Sequence, residues 1–337
     1  MSMIRVAVIG ASTMTRNLVR TFNSLPGSEL YGFSDPDFQC RRVMAGAYRG
    51  IRVTEKAAEL IEDPAVDAVV IAGGTGTHHP LALQSLEAGK HVFVEKPMAG
   101  SLAQAEEMAD LAAATGRILM VGHLMNYHPA VELLKSLLDE GQLGDILYIY
   151  TVRVNLGRVK RDENALWALA PYDIAVILDL LGRMPRDVSA RGACYLQQHV
   201  EDVVFVNLRF SEGVIANIQL SWLDPCKKRL TTVVGNRKMA VFDDMEGAEK
   251  VRIYDKGADY RVDFQSYEEF LTLRNGDIRI PRVRMVEPLL VECQHFCECI
   301  AGKSRPRTSA EQGVNVVRVL CAAQESLENG GEPVALA

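Results

Sequence analysis

The first residues with the potential for chemistry lie in the turn after residues 4–9. Gly10 opens this turn, and Ser12 and Thr15 stand where the pattern G-x-G-x-x-G has its second and third glycines. The second glycine of that pattern lets the backbone approach a pyrophosphate, and the third lets the next helix pack closely on the strand. Ser12 is small enough to offer its N–H or hydroxyl to a phosphate, whereas Thr15 is bulkier than the helix–strand contact prefers. The turn therefore predicts either a dinucleotide site or a plain strand–helix connection.

An acidic residue further along the chain favours the dinucleotide site. Asp35 directly follows the second apolar run, residues 29–34. A carboxylate at this place accepts hydrogen bonds from ribose hydroxyls and repels the 2′-phosphate of NADP, so it selects NAD. The alternative is that the segment S-D-P-D-F forms only a turn.

Polar and basic side chains elsewhere could bind a substrate. Some follow the fifth predicted strand, at the sheet edge where open α/β folds bind ligands, although the histidine among them could equally be a hydrogen-bonded core residue. Two short basic groups could hold a diphosphate or a carboxylate, while solvated surface charge is the alternative for each member. The candidates at the sheet edge are His123, Asn126 and Tyr127, and those of the two groups are Asn155, Arg158, Lys160, Arg161, Lys227, Lys228 and Arg229.

The first 122 residues alternate short apolar runs with helical stretches. The runs are too apolar for strands with one face in water, as expected when helices cover both faces of a parallel sheet. This pattern predicts an α/β domain with a parallel sheet over residues 1–122, a fold that suits the dinucleotide site suggested by the turn after residue 9. The strands are predicted at 4–9, 29–34, 68–72, 91–94 and 118–121.

The remainder of the chain has a different pattern. A long strand at 146–155 and an apolar helix precede alternating strands between residues 187 and 255, and helices around 287–302 and 309–328 close the chain. Alternation of apolar and polar residues is typical of an antiparallel sheet with one wet face. We therefore predict an α+β domain with a mainly antiparallel sheet over residues 123–337, to which the family resemblance given below assigns substrate binding and oligomerisation.

Composition excludes several function classes. The 337 residues include 37 Lys and Arg against 43 Asp and Glu, a net charge of −6. This charge argues against sequence-independent binding to the phosphates of nucleic acid. No export signal is visible and no apolar run approaches the ~20 residues that span a bilayer, so we expect a cytoplasmic protein without membrane partners. The seven cysteines lack disulfide or zinc spacing, so we expect reduced thiols and no metal.

Sequence motifs along the whole chain resemble the Gfo/Idh/MocA family. The segment H-V-F-V-E-K-P at 91–97, preceded by T-G-T-H-H-P-L-A-L at 75–83, closely resembles glucose–fructose oxidoreductase, inositol dehydrogenase and MocA proteins. Further counterparts follow in order, among them V-G-H-L-M-N-Y-H-P-A-V and S-W-L-D-P. The most similar branch contains UDP-N-acetylglucosamine and UDP-N-acetylglucosaminuronate 3-dehydrogenases. The resemblance implies a Rossmann domain, an open-faced antiparallel sheet, and homo-oligomers, dimers or tetramers, packed through that sheet.

The resemblance also implies a catalytic role for Lys96. The lysine of the E-K-P motif lies beside the nicotinamide in the family, where an ammonium polarises a hydroxyl or carbonyl and stabilises oxyanion charge. The alternative is a solvated loop lysine. Glu95 either pairs with Lys96 and keeps it charged or caps the turn.

A second catalytic residue is expected in the segment L-W-A-L-A-P-Y-D-I-A-V. The family usually has a histidine at the position of Tyr172, often with a carboxylate four residues earlier, where this chain has Ala168. A phenol near a lysine could exchange a proton with a sugar hydroxyl, so we predict Tyr172 as catalytic, against the alternative that it only packs. Asp173 would orient a substrate hydroxyl or serve the helix.

Gly73 and Gly74 are another departure, because the family commonly has Thr-Pro there. Together with the altered turn, these changes converge on one expected ligand. We predict that this ligand is NAD. The residues assigned to it are Gly10, Ser12, Thr13, Met14, Asp35, Gly73, Gly74, His78, Glu95 and Lys96.

Three functions are therefore open. The leading one is an NAD-dependent sugar dehydrogenase or ketoreductase that moves a hydride to or from a ring carbon, with a nucleotide sugar as the substrate. The changed residues also suit a redox-neutral lyase, epimerase or cyclase on the same scaffold. The third possibility is a sugar-binding protein without catalytic activity.

Overall fold

The computed structural model describes residues 3–157, 159–160, 163–260 and 271–336. Strands and helices alternate in the first part of the chain, and strands dominate after residue 187. In chain order the elements are β1 (Ile4–Ile9), α1 (Thr15–Ser24), β2 (Ser28–Ser34), α2 (Phe38–Ala47), β3 (Arg52–Thr54), α3 (Ala58–Ile61), β4 (Ala68–Ile71), α4 (Thr75–Glu87), β5 (His91–Glu95), α5 (Leu102–Thr115), β6 (Leu119–Gly122), α6 (Pro129–Asp139), β7 (Ile146–Val154), α7 (Ala165–Leu181), β8 (Asp187–Ala193), β9 (Val203–Arg209), β10 (Ile215–Ser221), β11 (Lys228–Gly235), β12 (Met239–Asp243), β13 (Val251–Tyr260), β14 (Leu271–Arg279), α8 (Pro288–Ile300), α9 (Ala310–Glu328) and β15 (Val334–Ala335).

The chain forms two compact units, and each contains two stretches of sequence. The first unit comprises Met1–Tyr127 and Val286–Arg318, and the second comprises His128–Met285 and Val319–Ala337. The boundary predicted after residue 122 lies close to the first division. The return of a later segment to the first unit was not predicted.

Packing in the core explains why that later segment belongs to the first unit. Phe296 on α8 is fully buried and meets Phe22 and Phe93 edge to face, with ring centroids 6.4 and 5.7 Å apart. Leu289 and Cys293 of the same helix are buried in the same apolar cluster. The first unit therefore completes its core with a helix supplied by a distant part of the sequence.

The sheet of the first unit is parallel and follows the order β3-β2-β1-β4-β5-β6. Each of the four residues in β4 is buried, as expected for a strand covered by helices on both faces. Strand β1 pairs with β2 on one side and with β4 on the other. Because the chain changes direction across the sheet at this point, the loops after β1 and β4 border the crevice where such folds bind dinucleotides. The Rossmann fold predicted from the sequence is confirmed.

The second unit contains a nine-stranded sheet in the order β14-β13-β12-β11-β7-β10-β9-β8-β15. The pairings are antiparallel except between β7 and β10, which run parallel. Along β10, Ala216, Ile218 and Leu220 are buried and alternate with more exposed residues. Helix α7 packs on β7, β9 and β10. The predicted second domain with a mainly antiparallel sheet is confirmed.

Among the described residues, no helix combines the length and the apolar character that crossing a bilayer requires.

Candidate active site

The turn after β1 depends on a close approach between two glycines. Gly10 has a φ of +88°, and a Cβ added to it would lie 2.6 Å from the Cα of Gly73. Only glycine allows both this backbone conformation and this contact. Gly73 itself has Thr77 beside it, because an added Cβ there would lie 2.8 Å from the Thr77 hydroxyl. Glycine at position 73 therefore leaves room for the turn. The family resemblance alone did not explain why a glycine stands at this position.

Thr15 fits the helix–strand contact that normally requires a glycine. Its side chain is buried, and its hydroxyl donates to the carbonyl of Gly10 at 3.0 Å and lies 3.4 Å from that of Ala72. The same hydroxyl accepts the N–H of Ser12 at 2.7 Å, and the Ser12 hydroxyl accepts the N–H of Met14 at 3.2 Å. The two hydroxyls thus hold the turn in place of the missing glycines. Thr15 is bulkier than the glycine of the pattern, and the buried position accommodates it with its polar atom satisfied by hydrogen bonds.

The predicted residues of the turn remain placed to hold a dinucleotide. Ser12 and Thr13 are exposed in the turn, and Met14 is half-buried at the start of α1. At the end of β2, Asp35 is buried, and its Oδ1 accepts the N–H of Asp37 at 2.8 Å. Asp35 therefore also forms the turn that was its alternative role, and a carboxylate remains at the carboxyl edge of the sheet. The residues present fit a dinucleotide.

His78 connects the loops that follow β4 and β5. Its ring is 1% exposed, with Nδ1 2.8 Å from the carbonyl oxygen of Pro97 and Nε2 3.2 Å from that of Gly73. Gly74 caps the N-terminus of α4, the helix that carries His78. The histidine therefore fixes the loop that contains Lys96 relative to the glycine turn.

Lys96 directly follows β5 and is half-buried next to an acidic residue. The Glu95 side chain is 6% exposed, and one of its oxygens accepts the N–H of Lys96 at 3.3 Å. Burial raises the pKa of Glu95 to about 7, and the Lys96 charge opposes this rise. The backbone bond fits the alternative in which Glu95 caps the turn, and pairing of Glu95 with the Lys96 ammonium stays a prediction.

Further buried polar groups lie behind this strand end. His123 is fully buried, with Nδ1 2.7 Å from the Oε1 of Gln312, and burial lowers its pKa to about 4. The imidazole is therefore neutral at physiological pH. Glu292 on α8 is 1% exposed, and burial, with a smaller effect of the Glu95 charge, raises its pKa well above the usual range. His123 and Glu292, the buried groups described behind this strand end, therefore remain uncharged at neutral pH.

Asn126 and Tyr127, predicted to bind substrate, belong to the interior of the first unit. Tyr127 is 1% exposed in the apolar cluster, its hydroxyl lies 3.1 Å from the Thr308 hydroxyl, and burial raises its pKa. Asn126 is 2% exposed, and its main-chain carbonyl oxygen accepts a hydrogen bond from Arg307 at 2.8 Å. The structure gives Tyr127 a packing role in place of the predicted contact with substrate.

In the second unit, Tyr172 lies against a buried arginine that the sequence analysis did not select. The Arg153 guanidinium is 5.3 Å from the Tyr172 ring centroid. Arg153 also binds both oxygens of Asp173, from Nε at 2.6 Å and from Nη2 at 3.0 Å. Asp173 was predicted to orient a substrate hydroxyl or to serve its helix. The structure corrects this, because both carboxylate oxygens are engaged by Arg153.

A second ion-pair group accompanies this pair in the same unit. One oxygen of Asp244 is 3.5 Å from the Nε2 of His128, and the other accepts a bond from Arg229 at 3.3 Å. His128 accepts the N–H of Ala130 through Nδ1 at 3.1 Å, so its proton resides on Nε2 and points to Asp244. These contacts lower the pKa of Asp244 far below its usual range, the His128 bond most strongly.

The other predicted substrate residues have less defined surroundings. Asn155 is half-buried at the end of β7, Lys160 is paired with Glu163, and Lys228 is exposed. The predicted substrate residues Arg158 and Arg161 lie outside the described residues.

One sequence signal could have found Arg153. It occupies an inward position of β7, where Thr151 is also buried, in a strand that is otherwise apolar on that face. A charged residue at such a position needs a buried partner. Asp173, on an apolar helix, was the candidate.

We predict that replacing Gly10 with alanine damages the turn more than the same change at a matched glycine. In Gly10→Ala the new Cβ meets Gly73, whereas at Gly27, which has a φ of +90°, an added Cβ has open space. Gly10→Ala should lower the free energy of unfolding by about 1–3 kcal/mol more than Gly27→Ala does. Urea unfolding measures this. Calorimetric titration should show NAD binding at least about tenfold weaker only for Gly10→Ala. Equal effects of the two variants would contradict the close approach.

We also predict a pH-dependent stability contribution from Glu95. Because its pKa is raised from 4.5 to about 7, the folded carboxyl keeps a proton that the unfolded one loses, and stability falls as pH rises between these values. The total is roughly 3 kcal/mol. Urea unfolding at about pH 5 and about pH 7.5 should show a smaller loss for Glu95→Gln than for the wild type. The exposed control Glu62→Gln should behave as the wild type, and an unchanged loss in Glu95→Gln would refute the assignment.

Known proteins with related sequences are named as enzymes of small polyols and sugars. The chain is 27% identical to scyllo-inositol 2-dehydrogenase (NAD(+)) of Bacillus subtilis, over 97% of this chain and 95% of that protein. It is 25% identical to 2,7-anhydro-N-acetylneuraminate hydratase of Mediterraneibacter gnavus, over 65% of this chain and 60% of that protein. The structure of UDP-N-acetylglucosamine 3-dehydrogenase from Acidithiobacillus ferrooxidans superposes with a TM-score of 0.82 at 22% identity, covering 98% and 99% of the two chains. That likeness shows the fold, and the inositol dehydrogenase is closer in sequence.

Family sequence models match both parts of the chain. Residues 4–123 match the model described as "Oxidoreductase family, NAD-binding Rossmann fold", and residues 131–241 match the GFO/IDH/MocA C-terminal domain. The first match covers the turn, Asp35 and Lys96, so the unit that fits a dinucleotide is an NAD-binding domain. The chain belongs to the Gfo/Idh/MocA family of NAD-dependent oxidoreductases.

Proposed function

We propose that this protein is an NAD-dependent dehydrogenase that oxidises or forms a hydroxyl group on the ring of a sugar or cyclitol. The observation that carries the proposal is a half-buried lysine, Lys96, at the end of β5 in an NAD-binding unit. Glu95 beside it is an acid and His123 is neutral, so the Lys96 ammonium is the main positive charge among the described groups at this strand end.

NAD, when bound, accepts or returns the hydride. The residues that would hold it are those of the turn after β1, with Asp35 toward the ribose hydroxyls and the glycines after β4 leaving space for the cofactor. His78 would fix the loop of Lys96 against Gly73, because its ring contacts a carbonyl on each side. These residues position and orient, and the chemistry at the substrate oxygen falls to other side chains.

Lys96 would stabilise negative charge on the substrate oxygen. A preorganised ammonium in a site sheltered from water lowers the energy of an alkoxide as it forms. The Glu95 carboxyl beside it has a pKa of about 7, so it carries a partial charge at neutral pH and helps keep the lysine protonated. This accounts for an acidic residue at a buried position.

Tyr172 would exchange the proton of the substrate hydroxyl. It takes the place of the histidine common in the family, and its phenol can give or take one proton. The missing carboxylate at Ala168 is not replaced by Asp173, which binds Arg153. Proton transfer would therefore depend on Tyr172 and on the groups that contact it.

We also propose a narrower substrate class, a nucleotide-linked sugar. A nucleotide-linked sugar would bring a diphosphate that Lys228 and Arg229 could bind, and Arg229 is held by Asp244 with part of its side chain exposed. A free cyclitol such as the substrate named for the Bacillus subtilis relative would lack this group. Binding of a nucleotide-linked sugar would depend on its diphosphate and on the salt concentration, whereas binding of a free cyclitol would not.

A redox-neutral reaction is the second candidate. A relative is named as a hydratase, and Tyr172 in place of a histidine and Ala168 in place of a carboxylate show that the proton-transfer residues of this chain differ from the usual set. In that case Tyr172 and Lys96 would perform acid–base work on the substrate.

We predict that Lys96→Met abolishes turnover while the protein still binds NAD. The purified enzyme is mixed with NAD and a panel of inositols, free sugars and UDP-sugars, and NADH absorbance is followed. One class should give turnover that falls by about 10²–10⁴ in Lys96→Met, since the charge on the substrate oxygen is no longer stabilised. The exposed control Lys56→Met should keep the wild-type rate.

Other outcomes of the same panel separate the rivals. Substrate consumption without NADH formation, detected by mass spectrometry, would replace the dehydrogenase with the redox-neutral candidate. Binding of sugars without any conversion would support a protein that has lost catalysis.

We further propose a homo-oligomer formed through the open face of the nine-stranded sheet, and we retain the expectation of a cytoplasmic location. Tyr148, Phe205 and Ile215 lie on neighbouring strands of this face and are 40%, 44% and 52% exposed. Exposed apolar side chains on adjacent strands favour a partner surface.

We predict that an acidic substitution on this face dissociates the oligomer. The double variant Tyr148→Glu/Ile215→Asp should reduce the mass measured by light scattering to that of one chain, because it buries charge in the interface. The surface variant Lys56→Met should keep the wild-type mass. A wild-type protein that is already monomeric would refute the proposal.

A further inference from the structure

Arg153 is a buried cation with a fixed position. It is 9% exposed, and Asp173, itself 4% exposed, holds two of its nitrogens through parallel bonds. Such a two-point bond sets the plane of a guanidinium as well as its place. Arg153 thus differs from a surface arginine, which samples many conformations.

Arg153 lies beside Tyr172 because its anchor, Asp173, is the next residue in the sequence. Tyr172 and Asp173 are consecutive on α7, so the residue that anchors the guanidinium is the neighbour of the residue it contacts. The guanidinium carbon lies over the ring at 5.3 Å from its centroid. A cation over an aromatic face holds the ring in place.

The charges around Arg153 come from several elements. Burial alone would lower the pKa of Arg153, but Asp173 on α7, then Tyr172 and Asp244, raise it. Asp244, which follows β12, is already bound by Arg229 of β11 and by His128 before α6. Arg153 is therefore a described cation that faces Tyr172.

A nearby cation makes a tyrosine a better proton donor near neutral pH, because it stabilises the phenolate that is left. The ordinary pKa of a phenol is about 10, against about 6.5 for the imidazole that the family usually has at this position. A guanidinium stays charged over the whole working range, so it lowers the energy of the phenolate at every pH at which the enzyme acts. A lysine or histidine partner would itself titrate.

We propose that Arg153 is the positioning residue for Tyr172 and stabilises the phenolate that forms when Tyr172 gives its proton to the substrate oxygen. In the reducing direction the phenol O–H bond breaks and a new O–H bond forms on the former carbonyl oxygen, while the carbon gains the hydride that a bound reduced nicotinamide would supply. The negative charge left on the phenol oxygen is balanced by Arg153. In the oxidising direction each of these changes reverses. This inference rests on the proposed function of Tyr172.

The test begins with a spectroscopic titration that needs no substrate. The chain has ten tyrosines, so the tyrosinate band of the wild type minus that of Tyr172→Phe isolates Tyr172. The same difference is recorded between Arg153→Met and Arg153→Met/Tyr172→Phe. The ionisation midpoint should lie about 1–3 pH units higher without the guanidinium. Arg153→Lys, which keeps the charge, should give a smaller rise.

A surface pair provides the matched control. Arg209 binds Asp187 at 2.7 Å in the same unit, and its side chain is 64% exposed. Arg209→Met should leave the Tyr172 midpoint unchanged. An unchanged midpoint in Arg153→Met would overturn the proposal, and so would an equal rise in Arg209→Met.

A second variant keeps the test decisive if Arg153→Met does not fold. Removing one partner of a buried ion pair leaves the other charge unpaired, whereas replacing both with apolar residues is much less destabilising. Arg153→Met/Asp173→Leu should fold, as checked by circular dichroism, and should still show a rise in the Tyr172 midpoint, smaller than in Arg153→Met because the negative charge of Asp173 is removed as well. A wild-type midpoint in this variant would overturn the proposal.

Activity assays distinguish this inference from the proposed function. With a substrate found in the panel, the pH limb of kcat that is lost in Tyr172→Phe should move in Arg153→Met by the same amount as the spectroscopic midpoint. A movement in opposite directions would overturn the proposal. If no substrate is turned over, the proposed function fails, while the spectroscopic comparison still decides whether Arg153 stabilises the phenolate.

Discussion

The close approach of Gly10 and Gly73 is the constraint on which the NAD-binding unit depends. The central strands β1 and β4 end next to each other, and the backbone after one touches the backbone after the other. Glycine at both places removes the Cβ atoms that would force the loops apart. Once this contact is made, the rest of the turn can vary, and Ser12 and Thr15 stabilise it through hydroxyl bonds in place of close packing of glycines. The residues that depart from the dinucleotide pattern therefore compensate for one another within a few ångströms.

The same unit concentrates buried titratable groups at the end of β5. Glu95, His123 and Glu292 each lose water on folding, and each responds by favouring its uncharged form. Glu95 keeps a partial charge at neutral pH, whereas His123 and Glu292 are uncharged. A lysine on a solvated surface would have its field screened by water, whereas the half-buried Lys96, bordered by buried groups, retains more of it. Burying acids and histidines costs free energy of folding, and the arrangement suits the polarising role that we propose for Lys96.

The sequence predicted the elements better than the contacts of individual side chains. Apolar runs and helix signals predicted the parallel strands and the mainly antiparallel sheet because burial on two faces or on one leaves a visible periodicity. The return of α8 to the first unit could not be predicted, because the sequence of a buried helix has the same apolar pattern whichever core the helix packs into. The hydroxyl bonds of Thr15 and the packing of Tyr127 against Thr308 were missed for a related reason. Residue type indicates that a polar atom needs a partner but does not say which distant residue supplies it.

Arg153 illustrates how one replacement at a site changes what its neighbours must do. An imidazole changes charge near neutral pH and works with a carboxylate that stabilises its cation. A phenol becomes an anion when it gives up its proton, so its helpful neighbour has the opposite sign. In this chain the carboxylate position before Tyr172 is occupied by Ala168, and the nearby carboxylate, Asp173, holds an arginine against the ring. With the proposed role of Tyr172, an alanine at position 168 and an acid that anchors a cation at position 173 are two parts of the same electrostatic arrangement.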